Sequence, residues 1–404
     1  MRLAKLSRRL ARDERLCEQF ESWTEVQARL PVMDRTVVQR QARALIDSRR
    51  PPEGMRTTGG STAEPIRVPV WTSETQVAAE DLWYGRSWFG VDPADRLFLF
   101  WGHAHGLGRG VRRAWARTKR FAADRLLAYR RHSAYDLSEA GLRRAARALV
   151  EFQPDYVLGY SVALDRFARV NRSLTEELRR LRLKAVVATA EAFPRADSVE
   201  VLEATFGCPV RMEYGSVETG PIAHERLEGG YRTFWRHFFV EAHVADRFPG
   251  SREILVTALY PRCLPLIRYR IGDLLSKSRP TESGVLTFDR VVGRCNDYVV
   301  LGGGDVVHSE AFTHAVKDGH PLSRFEVVQG ADGQITLRYE AARPLDEPDV
   351  RRIRERLVWV NSELGRIRFE RVESLPVTVA GKSRPIRRED ARGEVAEAMR
   401  NRDG

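Results

Sequence analysis

The stretch RTTGGSTAEP, residues 56–65, sets the hydroxyls of Thr57, Thr58, Ser61 and Thr62 around the adjacent glycines Gly59 and Gly60. Backbone amides converging in a Gly-rich turn, supplemented by hydroxyl donors, make a cradle for phosphate oxygens. The spacing is not that of a P-loop and no lysine follows, so a flexible surface turn is the competing reading. In MEYGSVETGPIAHE, residues 212–225, the carboxylate of Glu218 suits a hard cation such as Mg²⁺ and the ring of Tyr214 suits stacking on a base; an exposed acid in a surface loop is the alternative. In LPLIRYRIGDLL, residues 264–275, Asp273 follows a glycine after an apolar run, where an acid either accepts from a ribose diol or simply forms a turn. In LPVTVAGKSRP, residues 375–385, Lys382 follows a glycine and either meets a reacting phosphoryl group, where its charge is useful, or stands in solvent.

The elements that must hold these groups alternate along the first half of the chain. Residues 1–50 read as helices, broken at LPVMD and ended at RRPP, where consecutive prolines forbid continuation. IRVPVWTS is β-like, RLFLFWG at 96–102 reads as a buried strand, and helical periodicity dominates 109–152. YVLGYS and AVVATAEAF are short apolar runs, each followed by helix-like sequence, which is the pattern of a layered α/β fold. From residue 231 the runs RTFWRHFFVEAHV, SREILVTAL, LIRYRIGDLL and GVLTFDRVVGR read as a β-rich subdomain completing the large domain. After GRCND at 293–297 the sequence suggests a compact α+β unit of about 100 residues: YVVLGGGDVV, a helix in EAFTHAVKDG, strands FEVVQG and ITLRYE, a helix near 347–364 and a last strand near 367–372.

Composition narrows the class. With 43% hydrophobic and 30% charged residues, the chain reads as globular, and no apolar run approaches the ~20 residues of a membrane helix. The basic stretch MRLAKLSRRLARDERLCEQF lacks the apolar centre and cleavage site of a signal peptide, so a cytoplasmic protein is expected. Cys17, Cys208, Cys263 and Cys295 are widely separated and form no CxxC pair, which suits reduced thiols over a disulfide framework or a zinc site. The formal charge of +12 comes mostly from arginines spread along helices, which argues for a solvated basic face over a nucleic-acid surface and would favour anionic, phosphorylated ligands.

Taken in order, TTGGSTAEP, TAEAF, YGSVETG, LIRYRIGD, GRCND, GGGDVV and AGK resemble the motifs of the adenylate-forming (ANL) superfamily. Within it the chain is most similar to the phenylacetate-CoA ligase branch, including its CapK-like capsular-polysaccharide relatives, over about residues 30–390. That resemblance implies a large layered α/β adenylate-forming domain with a β-rich subdomain, residues 1–295, and a small mobile α+β lid domain, residues 296–404. It implies Mg-dependent activation of a carboxylic acid by ATP to an acyl-adenylate, then transfer to CoA, an amine or a carrier-protein thiol. The residues it assigns to ATP are Thr57, Thr58, Gly59, Gly60, Ser61 and Thr62 for the β- and γ-phosphates, and Ala190 and Glu191 for the adenine pocket. Tyr214, with Gly215 and Ser216, would lie on adenine, Asp273 would hold the ribose hydroxyls, and Arg294 would reach ribose or phosphates. Glu218 would coordinate Mg²⁺, Asn296 would lie at the inter-domain hinge, and Lys382 would bridge the α-phosphate and the substrate carboxylate. His103, His105, Tyr160, Phe193 and His224 are candidates for the acyl pocket.

Four positions depart from the family pattern. Val217 removes a hydroxyl expected beside the nucleotide phosphate, with Ser216 as a partial substitute, and Ala63 replaces the last glycine of the phosphate loop. His308 and Phe312 stand where relatives often carry a proline and an acid, in a loop that meets the acyl acceptor, which makes an acceptor other than CoA an alternative.

Overall fold

In the computed structural model the described residues are 22–46, 50–57, 67–101, 118, 122–134, 136–195, 197–245, 252–281, 285–294, 297–302, 305–316, 322–376 and 385–389. They group into two compact units, one drawn from segments up to residue 291 and the other from residues 193–198 and from 292 onward.

The first unit opens with helices α1 (Trp23–Arg29) and α2 (Arg35–Leu45), and with the antiparallel strands β1 (Gly54–Thr57) and β2 (Arg67–Val70). Helix α3 (Thr72–Ser87) starts where Glu74 reaches back to accept a hydrogen bond from the Trp71 amide at 3.0 Å, satisfying a donor that a helix start leaves free. A parallel block follows: β3 (Leu97–Trp101), β4 (Tyr129–Ser133), α4 (Glu139–Phe152), β5 (Tyr156–Tyr160), α5 (Ser161–Val170), α6 (Thr175–Arg180), β6 (Ala185–Thr189), α7 (Ser198–Phe206) and β7 (Val210–Ser216). The strands lie in the order β4-β3-β5-β6-β7, every neighbouring pair parallel.

Apolar runs such as LFLFW and AVVAT form these inner strands because successive residues, which point to opposite faces, are buried alike and no side needs to be polar. Phe100, Phe167 and Phe206 form a continuous ring layer, with centroids 5.2 and 5.8 Å apart, between β3 and the helices α5 and α7. The expected helical reading of 109–152 is corrected in part: Tyr129–Ser133, YRRHS, is a strand. It is the edge strand, so one side needs no ladder partner and its polar residues tolerate solvent.

The sheet continues antiparallel through β8 (Gly220–Glu225) and β9 (Tyr231–Thr233). A second sheet of this region has the order β10 (Phe238–Val244), β11 (Arg252–Ala258), β12 (Tyr269–Ser276) and β15 (Arg290–Arg294), while β13 (Arg279–Pro280) and β14 (Leu286–Phe288) complete the first sheet beyond β9. The expected β-rich region is therefore present, distributed over two sheets. Cys208 and Cys263 are free, buried thiols, pushed up by burial to about 12 and about 11. Among the described residues no helix is long and apolar enough to cross a membrane.

The second unit has its own core, gathered from Val299, Phe312, Val327, Leu337, Ile353 and Leu357 among others. It contains β16 (Tyr298–Val300), β17 (Val306–His308), α8 (Ser309–Ala315), β18 (Leu322–Gln329), β19 (Ile335–Ala341), α9 (Glu347–Val360), β20 (Arg368–Arg371) and β21 (Ile386–Arg388). Its main sheet has the order β20-β19-β18-β21. Phe312 is not in a loop facing an acceptor, as the resemblance implies: it lies on α8, in the stretch EAFTHAVKDG read as helical, and is fully buried in this core, where an acid would be desolvated without a partner.

Candidate functional site at the strand ends

In a parallel sheet the carboxyl ends of the strands share one edge, and a crevice opens where the strand order reverses. Here β3 is flanked by β4 and β5, so the reversal falls between β3 and β5. The last residues of these strands, Trp101 and Tyr160, meet edge to face with centroids 4.9 Å apart. Next along the edge, the Ser161 hydroxyl donates to the Glu191 carbonyl at 2.6 Å, tying the start of α5 to the loop after β6. That loop turns at Ala190, whose φ of +75° is left-handed, a region where a side chain costs about 1–2 kcal/mol and glycine costs little. The sequence reading attaches this concern to Ala63, which lies outside the described residues; the described alanines that meet it are Ala128, at φ +53°, and Ala190.

At the end of β7 the chain makes a tight turn, Val217–Thr219, into β8. The turn is closed by its own hydroxyls: the Thr219 amide donates to Ser216 Oγ at 3.2 Å, and the Ser216 amide donates to Thr219 Oγ1 at 3.2 Å. Ser216 therefore spends its hydroxyl within the turn. Val217 projects outward, and a bulge at Tyr214/Gly215 sets the approach.

Glu218 is buried, and the fully buried Tyr269 on β12 donates to its Oε1 at 3.2 Å. Beneath the turn lies Arg262, whose Nη2 donates to the Glu218 carbonyl at 2.6 Å and whose Nη1 donates to the Thr219 carbonyl at 3.0 Å. Arg262 also bridges Glu74 at 3.0 Å, with both side chains about 1% exposed, and donates to the Tyr260 hydroxyl. Glu74 in turn accepts from the Cys263 amide at 2.9 Å.

On the other side of the hairpin, Tyr214 Oη donates to Asp273 Oδ2 at 2.6 Å. A register irregularity between β11 and β12 and the left-handed Gly272, φ +88°, precede Asp273 and turn it toward β7. The Tyr214 ring rests edge-on against Tyr231 and Phe288, which stack on each other at 4.9 Å.

Of the residues assigned from sequence, Tyr160, Ala190, Glu191, Tyr214, Gly215, Ser216 and Glu218 thus lie along one sheet edge, and Asp273 joins them through Tyr214. Thr57 ends β1, and its neighbour Arg56 donates to Thr75 Oγ1 at 3.2 Å. Arg294 ends β15 and His308 ends β17. Phe193 belongs to the segment grouped with the second unit. Thr58, Gly59, Gly60, Ser61, Thr62, Ala63, His103, His105, Asn296 and Lys382 lie outside the described residues.

His224 is not at the strand ends. It is fully buried in β8, between Trp88 and Phe89, and so close to Gly85 that a Cβ there would come within 2.8 Å of its ring. Burial holds its imidazole below the usual histidine range. The unfolded chain then takes up a proton near pH ~6.5 that the folded chain refuses, so His224 costs stability as the pH falls below that value. A His224→Gln variant should lose melting temperature less steeply than the parent between pH ~6.5 and ~5, read from thermal melts across that range; parallel slopes would remove His224 as the cause.

Sequence reasoning missed Arg262, Glu74 and Tyr269. A charged residue inside the apolar stretch YPRCLP, and a glutamate three places after Trp71 at a helix start, were the available signals, but their pairing across the fold was not readable.

No protein-family model matches the chain. It is 25% identical over 270 residues to Protein CapK of Staphylococcus aureus, covering 62% of this chain and 57% of that protein. To phenylacetate-coenzyme A ligase of Escherichia coli (strain K12) it is 26% identical over 293 residues, covering 70% of this chain and 64% of that enzyme. The matches thus span less than two thirds of either relative's length. The crystal structure of 2-hydroxyisobutyryl-CoA ligase in the postadenylation state, in complex with R3-HIB-AMP, superimposes with a TM-score of 0.66 at 17% identity, over 95% of this chain and 84% of that one. The chain thus has the fold of the solved ligase and is similar in sequence to Protein CapK and to phenylacetate-coenzyme A ligase, in keeping with the resemblance of its motifs to those of the adenylate-forming superfamily.

Proposed function

We propose that this chain is an AMP-forming, acid-activating ligase that uses ATP and Mg²⁺. The observation that carries the reading is the meeting of Tyr214, Asp273 and the Glu218 turn at the carboxyl edge of the sheet, in a chain with the motif order of that superfamily. In the reaction, an oxygen of the substrate carboxylate attacks the α-phosphorus of ATP and the bond to the β-phosphate bridging oxygen breaks. The products are an acyl-adenylate and pyrophosphate.

The residues fit these partners. Glu218 offers an oxygen donor of the kind Mg²⁺ takes, and among the described residues no donor reaches its second oxygen, Oε2. When bound, the metal supplies charge neutralisation at the phosphates. Asp273 is a carboxylate acceptor suited to ribose hydroxyls, and its bond to Tyr214 fixes the tyrosine ring as a flat wall for the base. The Trp101–Tyr160 pair is assigned to the acyl side of the crevice. Thr57–Thr62 are assigned to the leaving phosphates, Arg294 to ribose or phosphate and Lys382 to the α-phosphate. The C-terminal part of the chain, residues 296–404, is assigned the role of a lid that delivers Lys382. The acyl group then passes to CoA or, given the departure at His308, to an amine or a carrier-protein thiol. A cytoplasmic location follows from these substrates.

Pyrophosphate release with Mg·ATP and a panel of aliphatic, aryl and heteroaryl acids tests the reading, with Glu218→Gln expected to lower the rate about 10- to 100-fold and to raise the Mg²⁺ requirement. A non-catalytic nucleotide-binding relative is the alternative that Val217 raises, because this side chain brings no hydroxyl to the turn. Mg·ATP binding without turnover on any acid would favour it.

A further inference from the structure

The Glu218 turn rests on a buried cation that neither the motif order nor the resemblance assigns. Arg262 is a planar fork, and it spends that shape on two successive carbonyls, Glu218 O at 2.6 Å and Thr219 O at 3.0 Å. Holding the first carbonyl fixes the peptide plane between residues 218 and 219; holding the second fixes the plane into Gly220. The Cα of Glu218 is the hub of the first plane, so the direction in which its side chain leaves is set from below. Arg262 cannot swing away, because Glu74 holds it at 3.0 Å in a setting where both side chains are about 1% exposed. Glu74 is itself fixed at two further points, the Trp71 amide at 3.0 Å and the Cys263 amide at 2.9 Å. Tyr269 then fixes the carboxylate end, donating to Oε1 and leaving Oε2.

We propose that Arg262, locked by Glu74, is a positioning residue that aims Glu218 at the metal, so that the benefit of the metal to nucleotide binding depends on it. The inference rests on the nucleotide-binding reading of this turn. An outer partner of a metal ligand typically carries about 10- to 100-fold in metal affinity, which is the size of effect to look for.

The test needs no knowledge of the acid. Binding of α,β-methylene-ATP is measured by calorimetry with Mg²⁺ and with EDTA, and the metal is followed separately as Mn²⁺ by electron paramagnetic resonance in the presence of the nucleotide. Three proteins are compared: the parent chain, Arg262→Lys, which keeps the charge and loses the fork, and Tyr269→Phe, which removes one hydroxyl and is the milder change if Arg262→Lys fails to fold. The expected result is a parent that binds the nucleotide more tightly with metal than without. In each folded variant that advantage and the Mn²⁺ affinity fall about 10-fold or more, while binding in EDTA stays within about 2-fold. A merely structural role would lower both kinds of binding together and overturns the proposal, as does full retention of metal coupling in the folded variants. A parent chain that binds no nucleotide under either condition overturns the nucleotide reading itself, and is told apart by the parent measurement alone.

Discussion

A Lys382→Ala variant is expected to release pyrophosphate at least about 100-fold more slowly than the parent chain, with Mg·ATP binding nearly unchanged. The reason lies in where the charge is needed. On the proposed reading, the phosphates of ATP would already be matched before reaction by Mg²⁺ and by donors of the loop assigned to Thr57–Thr62. As the carboxylate oxygen closes on the α-phosphorus, two anionic groups are forced together and negative charge gathers on the equatorial oxygens. A lysine delivered there acts on the transition state more than on the bound substrates, so its loss lowers kcat and leaves KM for ATP little changed. Removing one preorganised donor to a developing oxyanion costs about 10²–10³ in rate, which sets the expected size. The measurement is pyrophosphate release under saturating Mg·ATP with the best acid of the panel, alongside calorimetry of nucleotide binding. Unchanged release would remove Lys382 from the reaction; an equal loss of binding and rate would make it a ground-state ligand.

How much of this molecule could be read from its sequence depended on whether a residue's task is local. LFLFW and AVVAT were readable as strands because burial on both faces leaves no polar alternation to hide them. YRRHS was not, since an edge strand can carry arginines on both faces and so loses the period-two signal, leaving the helical periodicity around it to dominate. The three-residue strand β21, Ile386–Arg388, was missed because its ladder partner is the parallel strand β18, more than fifty residues earlier.

The same division runs through the site. Tyr214, Glu218 and Asp273 stood out because their chemistry recurs in an ordered set of short motifs. Arg262 and Glu74 did not, although they hold the central turn, because a buried ion pair between residues 188 positions apart leaves no mark on either local sequence. His224 misled for the converse reason: the resemblance makes residues near the tyrosine motif candidates for the acyl pocket, yet β8 buries it wholly against Trp88 and Phe89. Phe312 misled because a resemblance placed a loop where the chain forms α8 and needs an apolar residue for its core.

The second large effect is expected at Gly215, where one added methyl group should loosen the site. A Cβ built there would lie 2.2 Å from the Gly220 carbonyl oxygen and 2.8 Å from the Pro221 Cα. Both are backbone atoms of the facing strand, so no side chain can rotate out of the way. Gly215→Ala therefore forces β7 and β8 apart at the bulge that leads into the Glu218 turn. Overpacking of this kind costs about 1–3 kcal/mol, and here the displacement is handed to the hydrogen bonds that close the turn, Ser216 with Thr219 and Arg262 with the two carbonyls.

Gly54→Ala is the matched control: its Cβ would meet Val70 Cγ2 at 3.6 Å, an ordinary contact, and its melting temperature should stay close to the parent's. Ala190→Gly works in the opposite sense, because it relieves a left-handed alanine, and the ~1 kcal/mol gained is offset by the greater freedom of glycine in the unfolded chain. Thermal melts and Mg-dependent nucleotide binding on the three variants separate these cases. Gly215→Ala should lose several degrees and most of the metal advantage; if it melts with Gly54→Ala and binds as the parent does, the hairpin is not the rigid support that its contacts describe.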